Sequence, residues 1–159
     1  MAGSYQPSAK DFGILSSKKV AVVVAEWNEE ITEALFEGAL STLLTCLSRE
    51  NVVRRNVPGS FELPLAAQWM ASDNTIDAVI CLGCVIQGET PHFDYICQAV
   101  SQGITQVSLQ SNKPVIFGVL TTANKSQALD RAGGKYGNKG EEAALTALGM
   151  LRLREELNQ

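Results

Sequence analysis

Within residues 18–27, KKVAVVVAEW, the run VAVVVA is apolar without alternation, the pattern of a strand buried on both faces. The period then changes. In NEEITEALFEGALSTLLTCLSRE, Ile31, Leu35, Ala39, Leu43 and Leu47 fall near one face, which predicts a helix over 28–50. Asn28 stands at the N-cap position, and Glu29, Glu30 and Glu33 suit the positive end of the helix dipole. NVVRRNV is a short second strand that stops at the turn signal Pro58-Gly59. LPLAAQWMAS reads as a helix with Pro64 in its first turn, where proline is tolerated. IDAVICLGCVI is the most apolar strand. A helix from Pro91 to about Gln110 follows, again with proline in its first turn. PVIFGVLTT is a fourth strand. NKSQALDRAGG predicts a short helix closed by Gly133-Gly134. KYGNKG reads as a polar connector, and EEAALTALGMLRLREELN as a closing amphipathic helix. Strand and helix alternate four times, which means a parallel sheet covered on both faces and joined by right-handed crossovers.

Composition narrows this picture. With 159 residues and 45% hydrophobic content, the chain is expected to be one domain over residues 1–159 with a substantial core. The first 16 residues are mixed and polar and are expected to form an N-terminal arm. A net charge of −4 argues against broad nucleic-acid binding, which needs a basic face, but leaves room for a local cationic pocket. No apolar run reaches the length of a membrane helix, and the N-terminus lacks the pattern of a secretory signal. A cytoplasmic protein is expected.

Cys81 and Cys84 form a C-x-x-C, which can be a redox pair or half a metal site. Both lie in the apolar strand, where side chains three apart point to opposite faces. No second C-x-x-C supplies two further ligands for zinc. Buried thiols are the better reading.

In open α/β sheets, ligands bind beyond the carboxyl ends of the strands. Those positions hold Glu26-Trp27-Asn28, Pro58-Gly59-Ser60-Phe61-Glu62, Ile86-Gln87-Gly88-Glu89-Thr90-Pro91-His92 and Thr121-Thr122. Trp27 and Phe61 can stack on a planar heterocycle. Gly88, Glu89 and Thr90 precede a helix, so their amides can receive a phosphate. The Glu89 carboxylate would repel one, so Glu89 is assigned a main-chain role. His92, the one histidine of the chain, stands where it can shuttle protons near neutral pH. Each choice has a plainer alternative: a surface or capping histidine, core or rim aromatics, an ordinary turn. Their convergence on one edge favours chemistry. Arg131 and Lys139 lie away from the strand ends and read, on physical grounds alone, as solvated cations at a helix end.

Together, EWN, VPGSFELP, LGCVIQGETPHFDY, PVIFGVLTT and DRAGGKYGNKGEEAA, in that order, resemble the 6,7-dimethyl-8-ribityllumazine synthase family from about Lys18 to the last helix. The resemblance implies a flavodoxin-like three-layer α/β sandwich with a four-stranded parallel sheet. It implies condensation of 5-amino-6-(D-ribitylamino)uracil with L-3,4-dihydroxy-2-butanone 4-phosphate, without metal or organic cofactor. By the same resemblance Trp27 stacks on the pyrimidine, with Asn28 beside it. Ser60, Phe61 and Glu62 hold the ribityl chain and line the pyrimidine site, and the backbone of Cys84, Val85 and Ile86 contacts the heterocycle. Glu89, Thr90 and Arg131 bind phosphate, Lys139 lines the pocket, and His92 transfers protons. Phe117 reaches the pocket of a neighbouring subunit. The resemblance also implies pentamers with sites between subunits, and in some members sixty-subunit shells that enclose riboflavin synthase. The short GGKYGNKG connector favours the shell here, and the N-terminal arm is expected to add to a neighbour's sheet.

The chain departs from the family at Gln87, where an arginine is common, and at Trp27, where phenylalanine is usual. The stretch from Cys46 to Asn56 is slightly short. The rival readings are a non-catalytic flavin-binding or storage shell, a flavodoxin-like electron carrier and a C-x-x-C redox protein. The carrier wants a phosphate loop after strand one, and AEWNEE offers acids instead.

Overall fold

The computed structural model describes residues 15–159. In chain order its elements are β1 (Val20–Ala25), α1 (Glu29–Leu43), β2 (Val52–Val57), α2 (Leu63–Ser72), β3 (Ala78–Ile86), α3 (His92–Ser111), β4 (Val115–Thr122), α4 (Lys125–Leu129), β5 (Ala132–Gly134), β6 (Gly137–Asn138) and α5 (Lys139–Leu157). β1 to β4 form one parallel sheet in the order β2-β1-β3-β4. This is the expected α/β architecture.

Side-chain alternation along the strands builds two cores. Val20, Val22, Val24, Ile80, Leu82 and Cys84 pack with α1 and α5 on one face. Ala21, Val23, Val79 and Cys81 pack with α2 and α3 on the other. Burial on both faces is why β1 and β3 read as unbroken apolar runs. The two cysteines of the C-x-x-C therefore sit in opposite cores. Burial pushes the Cys81 thiol up to about 12 and the Cys84 thiol up to about 11. Neither presents a thiolate at neutral pH, so the redox reading fails on geometry and on ionisation.

Several expectations are corrected. The polar arm was expected to extend through residue 16, but Leu15 is fully buried in the α1–α5 core. Residues 1–14 of that arm lie outside the described residues. The helix expected over 28–50 stops at Leu43. Thr45 Oγ1 donates to the Thr42 carbonyl at 2.6 Å, a local bond that competes with helix continuation, and the chain turns so that Leu47 stays buried.

Asn28 takes the N-cap position with no side-chain cap bond; its backbone is left-handed, φ 62°. Glu33 does more than face the helix dipole. It pairs with Arg54 on β2, and that guanidinium holds the carboxyl below its ordinary range.

The helix expected over 124–134 ends at Leu129, and Gly133-Gly134 belong to a strand. Residues 132–138 form a small antiparallel hairpin, β5–β6, instead of a helix cap and connector. Gly133 (φ 108°) and Gly137 (φ 76°) supply the conformations it needs.

Candidate active site

The carboxyl ends of the parallel strands are tied in two pairs by backbone bonds, and a side chain joins the pairs. Glu26 and Trp27 N–H donate to the carbonyls of Val57 and Pro58 at 2.9 and 3.1 Å. Gln87 N–H donates to the Thr122 carbonyl at 2.8 Å. Asn28 Nδ2 donates to the Cys84 carbonyl at 2.9 Å, bridging the loop after β1 to β3. The left-handed backbone at Asn28 aims the amide inward, and asparagine tolerates that region better than most residues. Asn28 thus spends one amide hydrogen on the scaffold. The switch in strand order between β1 and β3 is the place where such sheets bind ligands.

Along this edge Trp27 and Phe61 stand 76% and 55% exposed, so this chain alone gives them no enclosing pocket. Ser60 is buried against Gly83, and its Oγ has no hydrogen-bond partner. A Cβ at Gly83 would lie 2.5 Å from that oxygen. An unsatisfied buried hydroxyl is costly unless a ligand or water meets it. Glu62 accepts from Gly59 N–H at 3.0 Å, closing the turn after β2 and leaving carboxylate capacity in hand. Cys84 is buried, while Val85 and Ile86 are half-buried at the strand end. Glu89 and Thr90 are exposed in the loop before α3, and Pro91 caps that helix. His92 is its first residue and is exposed. It makes no side-chain hydrogen bond among the described residues.

Phe117, Arg131 and Lys139 gather elsewhere. They line a groove of ≈ 670 Å³ along the outer edge of β4, together with Thr121, Thr122 and Glu142. None of Trp27, Phe61, Glu89, Thr90 and His92 lines it. The predicted residues therefore fall into two groups, one at the strand ends and one on the flank of β4.

Hydrogen bonds bring the two cations to the flank. Lys139 N–H donates to the Arg131 carbonyl at 2.9 Å across the base of the hairpin. Arg131 Nη1 donates to the Gln127 carbonyl at 2.9 Å, and its guanidinium lies 4.9 Å from the centre of the Tyr136 ring. Lys139 Nζ is held by both carboxylate oxygens of Glu142, at 2.7 and 2.9 Å. Lys139 thus arrives with its charge largely matched. Arg131 makes no ion pair among the described residues. It is the cation better placed to take an anion.

Asn138 anchors this assembly. Its Oδ1 accepts from Gly140 and Glu141 N–H at 2.8 and 3.4 Å, capping α5, and its Nδ2 donates to the Ala34 carbonyl on α1 at 2.9 Å. The sequence reading missed Gly83, Asn138 and Gly140. A lone glycine inside a strand marks close approach, and that signal was available for Gly83. For Asn138 and Gly140, the contact with α1 has no local signature.

Comparison with known proteins bears on this arrangement. The model of the 6,7-dimethyl-8-ribityllumazine synthase family matches residues 17–155. A protein of that name from Cytophaga hutchinsonii is 68% identical over 138 residues, covering 86% of this chain and 87% of its own length. Others of the same name, from Porphyromonas gingivalis and Parabacteroides distasonis, are 55% and 52% identical. The first covers 85% of this chain and 84% of its own length, the second 95% and 98%. Nothing in these names supports the non-catalytic flavin shell.

Proposed function

Since this chain belongs to the 6,7-dimethyl-8-ribityllumazine synthase family, we propose that its two groups of residues are the two halves of one catalytic site. The chain is a transferase of riboflavin biosynthesis. It condenses 5-amino-6-(D-ribitylamino)uracil with L-3,4-dihydroxy-2-butanone 4-phosphate to the lumazine, phosphate and water. The reaction needs no metal or organic cofactor. A primary amine attacks a ketone, water leaves to give a Schiff base, phosphate is eliminated, and the second nitrogen closes the ring on the remaining carbonyl with loss of a second water. Most of the acceleration comes from holding two substrates in register.

In this reading one domain carries both halves. Trp27 stacks on the pyrimidine beside Asn28, Phe61 and the backbone of Cys84, Val85 and Ile86. Ser60 and Glu62 hold the ribityl chain. The amides of Glu89 and Thr90, at the start of α3, meet the phosphate. His92 moves protons. Phe117, Arg131 and Lys139 come from the β4 flank of a neighbouring copy. The observation that carries this division is the separation of the β4 groove from the exposed aromatics at the strand ends.

Mixing the purified protein with both substrates and following lumazine fluorescence above the spontaneous rate tests the reading. A folded, assembled protein that gave no acceleration would overturn it.

The assembly is a cytoplasmic homo-oligomer built of pentamers. The stretch 133–140 is short, which favours closure into a sixty-subunit shell that can enclose riboflavin synthase. Light scattering should find a shell-sized particle at neutral pH; a pentamer-sized particle alone would rule the shell out. Among the described residues no helix is long and apolar enough to cross a membrane.

A further inference from the structure

We propose that Tyr136 is a positioning residue for the phosphate subsite, acting through Arg131. This rests on the reading of Arg131 as the phosphate-binding cation. Tyr136 lies at the tip of the β5–β6 hairpin, and half of it is exposed. Its amide donates to the Asp130 carbonyl at 2.7 Å, which folds the tip back over the residue next to Arg131. The fold-back sets the Tyr136 ring 4.9 Å from the Arg131 guanidinium carbon. The same guanidinium is tethered to the Gln127 carbonyl. Arg131 also lines the β4 groove. Ring and carbonyl together hold a long side chain in one arrangement at the groove wall.

An arginine has many rotamers, and fixing one on binding costs affinity. A ring that fixes it beforehand lowers that cost. A carboxylate could hold Arg131 equally well, but it would neutralise the charge the phosphate needs. The quadrupole of an aromatic face attracts the cation while leaving its net charge intact. Lys139 shows the contrast, since Glu142 holds it by pairing. Lys135 Nζ also lies 5.1 Å from the Tyr136 ring centre, so a second cation shares the platform. The hairpin thus holds two positive charges against one ring in a chain whose net charge is −4.

The test is steady-state kinetics on the assembled enzyme with each substrate varied in turn, using Tyr136→Leu, Tyr136→Phe, Arg131→Ala and the double variant Tyr136→Leu/Arg131→Ala. Inorganic phosphate serves as competitive probe. Tyr136→Leu is expected to raise KM for the phosphorylated substrate, and Ki for phosphate, by roughly 2- to 5-fold, the scale of one exposed cation–π contact. KM for the aminouracil should hold. Tyr136→Phe, which keeps the ring, should restore the parent values. In the Arg131→Ala background the Leu substitution should add nothing further.

An unchanged KM and Ki in Tyr136→Leu, beside a raised KM in Arg131→Ala, would overturn the role of Tyr136 alone. A general loss in both substrates that phenylalanine fails to rescue would make Tyr136 merely structural and overturn it too. An Arg131→Ala enzyme with unaltered phosphate dependence would remove the premise, and the proposal with it.

Discussion

Arg131→Ala is expected to lower kcat/KM by about 10²-fold or more, with the larger part in KM for the phosphorylated substrate. A hydrogen bond to a charged group contributes about 1.5–3 kcal/mol, which is roughly 10- to 150-fold. If Arg131 binds the phosphate as proposed, bidentate pairing would place the loss toward the upper end. The groove adds to it. Without Arg131, the groove would keep Lys139, whose charge is matched by the Glu142 carboxylate. His92→Ala sets the scale for comparison. General acid–base help is worth about 10²–10⁴-fold at most, so that variant should be weakened but active. Kinetics on both variants, with circular dichroism to check folding, decides the division of labour. A folded His92→Ala enzyme with no residual activity, or an Arg131→Ala enzyme within threefold of the parent, would contradict it.

Gly140→Ala should be the most damaging small substitution for stability. A Cβ there would lie 1.8 Å from the Leu35 carbonyl oxygen and 2.6 Å from its carbon. Both are backbone atoms of α1, so no side-chain rotation relieves the overlap. The two helices must separate, and the Asn138 bridge to Ala34 lengthens with them. Overpacking a core costs about 1–3 kcal/mol, and a clash with rigid backbone belongs at or above the top of that range. For a domain of this size that is a fall in Tm of roughly 6–12 °C. Thermal unfolding within about 2 °C of the parent would show that α1 and α5 can part cheaply. Gly38→Ala is the companion case, with its Cβ 2.5 Å from the Asn138 side chain.

The main sheet was legible because burial writes itself into local sequence. β1 and β3 are covered on both faces, so their apolar runs have no competing interpretation. The strand-end loops followed from the alternation of strand and helix, and with them Trp27, Phe61 and His92. The hairpin was not legible. Gly133 and Gly137 carry left-handed backbone, and in sequence such glycines read equally well as a helix stop and a loose connector. Missing the hairpin hid the groove that Arg131 and Lys139 line. Their site roles are implied by resemblance, where spacing suggests none. Asn28 failed differently: it sits where an N-cap belongs, yet its amide reaches Cys84 on β3. Only the strand order places Cys84 within range.

The separation of His92 from the β4 groove has a genetic consequence. If each site is assembled from the strand ends of one chain and the flank of the next, two differently disabled chains can repair one another. Co-expressed in equal amounts, His92→Ala and Arg131→Ala chains would place intact strand ends against an intact flank at about one interface in four of a closed ring. The mixed rings would then exceed either pure variant in activity. An organism carrying both alleles would make lumazine where neither allele alone sufficed.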